Sequence, residues 1–139
     1  MAILQASKTS SAALLAMPGV GDGQSAKVTS SAYTFAAAPA TGDIIQSALI
    51  QAGSVITDVK VVLSGFGANS TFEVGYGDDT DYWIVSGSGV TGGVFRDTAA
   101  TARPLVLVTN DTVDVKINAA GATAAGTVDI IVTYVPRNN

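Results

Sequence analysis

From Lys27 onward apolar and polar side chains alternate with a period of two, interrupted at short intervals by Gly, Pro, Asn and Asp. That period is the signature of a strand with one buried face, because successive Cβ atoms leave a β-strand on opposite sides. The alternation predicts strands over Lys27 to Phe35, Asp43 to Ile50, Val55 to Ser64 and Thr71 to Tyr76. In the first, Tyr33 and Phe35 share a face. In the third, Val59, Val61 and Leu63 oppose Asp58 and Lys60, and in the fourth Phe72, Val74 and Tyr76 oppose Thr71, Glu73 and Gly75. A short apolar piece, Tyr82 to Val85, precedes a glycine-rich stretch from Gly87 to Gly93. The last third predicts strands over Pro104 to Thr109, Thr112 to Asn118 and Thr127 to Val135. Seven or eight short strands without a long helical period define an all-β chain, an antiparallel β-sandwich or jelly-roll-like barrel.

Residues 1–25 depart from this pattern. Met1 to Leu4 and Ala12 to Met17 are apolar and are separated by the polar run Ser7 to Ser11. Pro18-Gly19-Val20-Gly21-Asp22-Gly23 then interrupts any regular element. The chain therefore divides into an N-terminal arm, 1–25, and a β-sandwich domain, 26–139. Two readings of the arm stand side by side: a frayed terminus, or a strap that lays Ile3, Leu4, Leu14 and Leu15 against a neighbouring subunit. Its single early charge, Lys8, is not followed directly by a long apolar run, so a secretory signal is not expected. The long charge-free stretch 44–57 contains Gln46, Ser47, Gln51 and Ser54, too polar for a bilayer-spanning segment, and no membrane partner is expected.

Composition narrows the chemistry. The 139 residues carry 11 acidic and 7 basic side chains, a formal net charge of −4, with no histidine and no cysteine. A Ser-His-Asp triad, a cysteine nucleophile and a Cys/His zinc or iron–sulfur site are thereby excluded. The few scattered basic residues lack the electrostatic footprint of a nucleic-acid binder. Val (17) and Thr (15) favour strands, and 15 Gly supply turns. Charged residues make up 13%, about half the share usual for a globular domain. A surface of small apolar and hydroxyl side chains suits burial against other subunits, since few ions must be desolvated.

The motifs that suggest chemistry reduce to turns. Gly87-Ser88-Gly89-Val90-Thr91-Gly92 matches the GxGxxG letters, yet no amphipathic helix follows to receive a pyrophosphate, so a loop is expected. Asp78-Asp79-Thr80-Asp81 gathers three carboxylates that calcium could use, but lacks the spaced ligands and terminal glutamate of an EF-hand. A solvated Asx turn is the simpler reading, and no metal and no cofactor are assigned. Asp78, Asp79, Asp81 and Glu73 beside Tyr82 and Trp83 could imitate a glycosidase or a carbohydrate shelf, although Tyr82-Trp83 more often forms core or subunit interface. No motif sets a serine beside Lys60 or Lys116 as a dyad. Arg96, followed by Asp97, suits an ion pair with a neighbouring subunit.

Several segments carry a resemblance. They are Ala40-Thr41-Gly42-Asp43-Ile44-Ile45, Ile50 to Val59 with its Ala52-Gly53 turn, Ala68 to Trp83 with Val74-Gly75-Tyr76-Gly77-Asp78-Asp79-Thr80-Asp81, and Ala124 to Tyr134 with Gly126-Thr127-Val128. In this order, over residues 27 to 135, they resemble small virion structural proteins of tailed bacteriophages. The resemblance implies a β-sandwich subunit with no catalytic residue, of the capsid decoration or cement type. It further implies a homotrimer on the phage head surface, assembled in the host cytoplasm, with the major capsid protein or other virion subunits as partners. A tail, neck or fibre-base component of the virion is the alternative, and a carbohydrate-binding module a more distant one. The candidate capsid or subunit interface comprises Ile3, Leu4, Leu14, Leu15, Tyr82, Trp83 and Arg96.

Overall fold

β-Branched residues at every second position commit the backbone to extended geometry, and the fold follows from burying one face of each strand. The computed structural model describes residues 25–77, 79–97, 104–119 and 126–136. Apart from Ser25, the predicted arm lies outside the described residues. Nine strands occur among them: β1 (Lys27–Phe35), β2 (Ile44–Gln46), β3 (Val55–Leu63), β4 (Thr71–Tyr76), β5 (Asp79–Ser88), β6 (Gly93–Arg96), β7 (Leu105–Val106), β8 (Asp114–Ala119) and β9 (Gly126–Val135). They form two sheets in which every pairing is antiparallel, so the chain is a two-layer β-sandwich. One sheet runs β1-β9-β3-β6, with β7 also paired to β3; the other runs β2-β8-β4-β5.

β9 organises the first sheet. It pairs with all of β1, from Lys27↔Tyr134 to Phe35↔Gly126, and on its other side with β3, from Val55↔Val135 to Leu63↔Val128. Opposed residues of an antiparallel pair share a face, so the pairs Val59↔Val132, Val61↔Ile130 and Leu63↔Val128 all turn inward. Across the interior they meet Phe72, Val74, Val115 and Ile117 of the second sheet, all fully buried. Burial of each such side chain contributes about 1.5–3 kcal/mol relative to exposure. Phe66, in the β3–β4 connection, closes one end of the core and packs edge-on against Phe35 with 5.6 Å between ring centroids.

The observed elements depart from the sequence pattern at several places: the strand expected over Pro104 to Thr109 shortens to Leu105–Val106, the piece Tyr82 to Val85 lengthens to Asp79–Ser88, and three further differences have a local reason. The second strand was expected over Asp43 to Ile50 but is only three residues long, with Ile50 rejoining as an isolated bridge to Asp111. Between them the Ser47 hydroxyl takes the N–H of Val113 at 2.9 Å, and the Asp111–Thr112 turn begins. The glycine-rich stretch is also not a loop throughout: Gly87 and Ser88 end β5, and Gly93 begins β6. Gly87 is required there because the Phe72 ring lies directly on its backbone, in the space a Cβ would occupy. Finally, β4 is buried on both faces, Glu73 and Gly75 included.

Phe72, fully buried and edge-on to Phe95 at 5.0 Å, ties the second sheet to β6 of the first. Replacing it, Phe72→Ala, is expected to lower the unfolding free energy by about 3–5 kcal/mol, whereas exposed Val94→Ala changes it by no more than about 0.5 kcal/mol. Urea titrations followed by tryptophan fluorescence measure both.

Candidate interaction surface

The polar face of β4 is roofed by its own hairpin. Register irregularities between Phe72 and Val74 and between Val74 and Tyr76 bend β5, and the Asp79–Thr80 backbone lies over Gly75 where any side chain would collide with it. Glu73 is caught beneath this roof. Its carboxylate accepts a hydrogen bond from Lys116 Nζ at 2.9 Å and another from Asn118 Nδ2 at 2.7 Å. Lys116 is its cross-strand partner in register. Burial alone would raise the Glu73 pKa, but the bonds from Asn118, Lys116 and Thr80 outweigh it and hold the group below its ordinary 4.5. The one glutamate of the chain is therefore a structural anion, and Lys116 is committed to it rather than to any serine.

Next to this seam stands an aromatic group. Tyr76, Tyr82 and Trp83 meet edge-on, with centroid separations of 5.6 Å for Tyr76–Tyr82, 6.0 Å for Tyr76–Trp83 and 5.1 Å for Tyr82–Trp83. Trp83 is only 3% exposed in the subunit and belongs to the core; Tyr82 is half-buried against it. A carbohydrate shelf needs an open ring face, which Trp83 does not offer. Of the acidic run, Asp78 lies outside the described residues. The Asp81 carboxyl is held above its ordinary range by a hydrogen bond with Asp79, then by partial desolvation and by the charges of Asp79 and Glu73. Among the described residues, no three His, Cys, Asp or Glu side chains are grouped to hold a metal ion.

Arg96 extends from β6 over the outer face of the first sheet and approaches Asp58 of β3 at 3.7 Å. Both side chains are well exposed, so the pair contributes about 0–1 kcal/mol and leaves the guanidinium accessible. Ile3, Leu4, Leu14 and Leu15 lie outside the described residues. The structure thus places Tyr82 and Trp83 together and Arg96 apart from them, on the other sheet. A second acidic site, unmarked by any motif, forms where β2 meets β8. Gln46 donates to the Thr112 hydroxyl at 3.1 Å, and that hydroxyl donates to Asp114 at 2.6 Å. Burial raises the Asp114 pKa, the hydrogen bonds from Thr112 and Gln46 oppose the shift, and nearby Asp111 adds to it.

The sandwich is open along one side. β1 ends the first sheet and β2 the second, and Ala48 N–H donates to Ser31 Oγ at 2.9 Å across the gap. Between the two edges lies a cleft of about 560 Å³, lined by Ser31, Tyr33 and Phe35, the run of alanines 36–38, and Asp43 to Gln46. Tyr33 and Ile44 on its rim are 50% and 53% exposed. Asp43, the cleft's single charged group, accepts the Ala40 N–H at 2.8 Å. Its lining mixes these apolar side chains with Ser31, Asp43 and Gln46, beside two open backbone edges.

Nine antiparallel strands in two layers, with open edges at β1 and β2, define a β-sandwich. The same fold occurs in chains of phage capsids. The chain is similar to one from the capsid asymmetric unit of cyanophage Pam1, with 20% identity, 94% of this chain and 99% of that one covered, and a TM-score of 0.67. A chain from the capsid of Ralstonia phage GP4 matches at 25% identity over 81% of this chain and 86% of its own, with a TM-score of 0.60. One from the acidic stable capsid structure of Helicobacter pylori bacteriophage KHP30 matches at 12% identity over 78% and 86%, with a TM-score of 0.55. No protein-family model matches the sequence, and no curated protein matches it at a significant level.

The depressed pKa of Glu73 has a defined stability consequence. A carboxylate whose folded pKa lies below its unfolded value adds stability above the unfolded pKa, and that contribution disappears as pH falls through the folded pKa. Glu73→Gln is therefore expected to cost about 1–3 kcal/mol at pH 7 and progressively less on acidification below 4.5. Asp114, shifted upward, has the opposite sign: its charged form opposes folding at neutral pH, and the opposition fades as pH falls below its raised pKa. Denaturant midpoints of Glu73→Gln and Asp114→Asn, each against the unsubstituted protein between pH 7 and pH 3, test both signs.

Proposed function

We propose that the chain is a non-enzymatic structural protein of a phage virion, a capsid decoration protein that binds the assembled head shell at subunit junctions. The observation that carries this reading is the fold match to the Pam1 capsid chain over nearly the full length of both molecules. The GP4 capsid chain, at 25% identity, supports it in sequence as well. The site chemistry is consistent with it: Glu73 and Lys116 are spent on each other, and Asp114 is held by Thr112. These are groups that fasten strands together rather than groups poised over a substrate pocket.

Decoration works by mass action. A protein that binds the assembled shell and not its free subunits stabilises the assembled state, by an amount that grows with the logarithm of its free concentration once this exceeds Kd. Trimerisation, the oligomeric state of this reading, joins three modest contacts into one tight attachment. Low charge favours such contacts, because Val, Thr and Ala surfaces are buried without stripping water from ions. In this reading Ile3, Leu4, Leu14 and Leu15 of the arm, together with exposed Arg96, reach the shell, and the half-buried Tyr82 supports the surface between subunits.

The test is co-sedimentation with phage shells purified without the protein. Saturable binding, together with a raised disruption temperature of the shell, is the expected result. A protein that stays in the supernatant at every concentration overturns the reading. Ile3→Asp with Leu4→Asp is expected to weaken shell binding about tenfold or more, equivalent to about 1.4 kcal/mol for each factor of ten, while the melting temperature of the isolated protein stays the same.

A further inference from the structure

Strand β1 pairs with β9 from Lys27 to Phe35 without a bulge, and among the described residues no strand pairs with its other edge. Exposed edges of that length are usually blunted by proline, bulges or charge. Here Lys27, at the start, is the strand's single charge, and Val28 to Thr34 are uncharged, mostly small or hydroxyl-bearing residues. Of the whole strand only Phe35 is buried. The far side of the sandwich differs, because there β6 and β5 end the two sheets and the Phe72–Phe95 contact joins them.

The edge is complementary to itself. A two-fold axis normal to the sheet at Ser31 sets Ser31 opposite Ser31 of a second copy, Ser30 opposite Ala32, Tyr33 opposite Thr29 and Lys27 opposite Phe35. Alternate pairs exchange two main-chain bonds each, so such a ladder holds about eight to ten. A typical protein interface has about ten direct hydrogen bonds. Charge favours a second copy over any other extended chain. Opposed residues share a face, so Lys27 of one copy stands beside Phe35 of the other on the inward side. Phe35 and Asp43 both line the cleft there, and Asp43 is its single charged group. Because the Ala48 N–H is fastened to Ser31, the chain from Ala48 back to Asp43 runs alongside Ser31 to Phe35. Asp43 takes the Ala40 N–H through Oδ2, and a carboxylate can accept further donors. Lys27 is exposed and has no ion-pair partner among the described residues. The symmetry forms the Lys27–Asp43 pair twice.

We propose that β1 is a self-association edge: two copies pair β1 to β1 about a two-fold axis at Ser31, with Lys27 of each against Asp43 of the other. Their five-stranded sheets thereby become one continuous sheet. An isologous contact of this kind uses up both free edges, so it closes on itself and does not propagate. Exposed Val28 and Tyr33 on β1 gain cross-strand neighbours, and exposed Leu49, next to Ala48, is brought near the axis. Tyr82 and Arg96 belong to β5 and β6 at the far side of the sandwich, so the contact is compatible with a trimer built there. It does not rest on the virion reading.

Sedimentation velocity of the full-length protein over a wide range of concentration reads the association. The expected result is a reversible doubling of the mass found at the lowest concentration. Lys27→Glu is expected to weaken the doubling about tenfold, since it reverses both pairs, with the melting temperature of the dilute protein unchanged. Adding Asp43→Lys to that variant is expected to restore it. The chain has no cysteine, so introduced thiols report the register. Ser30→Cys and Ala32→Cys proteins, mixed and mildly oxidised, are expected to crosslink severalfold faster than either alone. Directly opposed residues lie within disulfide reach, whereas diagonal ones, about 7–8 Å apart, do not. A mass independent of concentration overturns the proposal. So does a doubling that Lys27→Glu leaves intact, which assigns the contact to another surface, and so does crosslinking without the 30-to-32 preference. Shell binding enters none of these readouts, so the two proposals fail separately.

Discussion

Strand β9 is hydrogen-bonded along both of its edges, to β1 on one side and to β3 on the other, and most of the structure takes its geometry from that double pairing. Register in a sheet is all or nothing: a slip of one residue turns every side chain to the opposite face. With Val128, Ile130 and Val132 fully buried, such a slip would carry three branched side chains into water and bring Asp129 inward. The alternation in β9 thus fixes which faces of β1 and β3 look inward. The second sheet must then supply a matching apolar face, which it does with Phe72 and Val74 of β4 and Val115 and Ile117 of β8. β4 and β8 are the central strands of their sheet, as β9 and β3 are of theirs, so the core is built where both sheets are most constrained.

Against this apolar frame the few charges have structural tasks. Glu73 with Lys116 and Asn118 fastens β4 to β8 on the outer face, directly behind Val74 and Val115. Asp114, Thr112 and Gln46 do the same at the junction of β8 with β2. The first cluster favours the carboxylate and the second disfavours it, because the amide and the cation at Glu73 outweigh its burial, whereas burial of Asp114 outweighs its bonds from Thr112 and Gln46 and nearby Asp111 adds to the shift. An isolated buried ion pair is a weak source of stability, and at Glu73 the neutral donors Asn118 and Thr80 help Lys116 offset the desolvation of the charge. What these clusters supply is alignment of strands whose outer faces have little else to hold them.

The inward-facing alternation was legible in the sequence wherever one face alone is buried. β1, β3, β4 and β9 lie within a residue of the spans their periodicity predicts, and β8 differs by two at its start. Legibility failed where a tertiary contact overrides local pattern. Nothing near Ser47 announces that its hydroxyl will take Val113 N–H, sixty-six residues away, and so end the ladder of β2. Gly87 reads as loop until the Phe72 ring is seen resting on it. Glu73 reads as a solvated outer residue because the covering Asp79–Thr80 backbone is a product of bulges that leave no sequence period. Of the candidate contact residues, Trp83 was legible as core or interface but not as which of the two, while Arg96 was legible as exposed. The β1–β2 cleft was not legible at all, since it arises only when the edges of two different sheets are brought side by side.

The pairing of β1 with β9 also bears on synthesis. The two strands lie at opposite ends of the described chain, with seven others between them, so the five-stranded sheet cannot close until residues 126–135 have left the ribosome. At about 5–20 residues per second, β1 waits several seconds without its partner. Topologies dominated by such distant contacts fold on millisecond-to-second timescales, slower than helical bundles of the same size. During that interval β3 too lacks its central neighbour, and its row of Val59, Val61 and Leu63 lies open to other nascent chains. High-level production is therefore a contest between closure within one chain and association among several, decided by the time at which the ninth strand arrives.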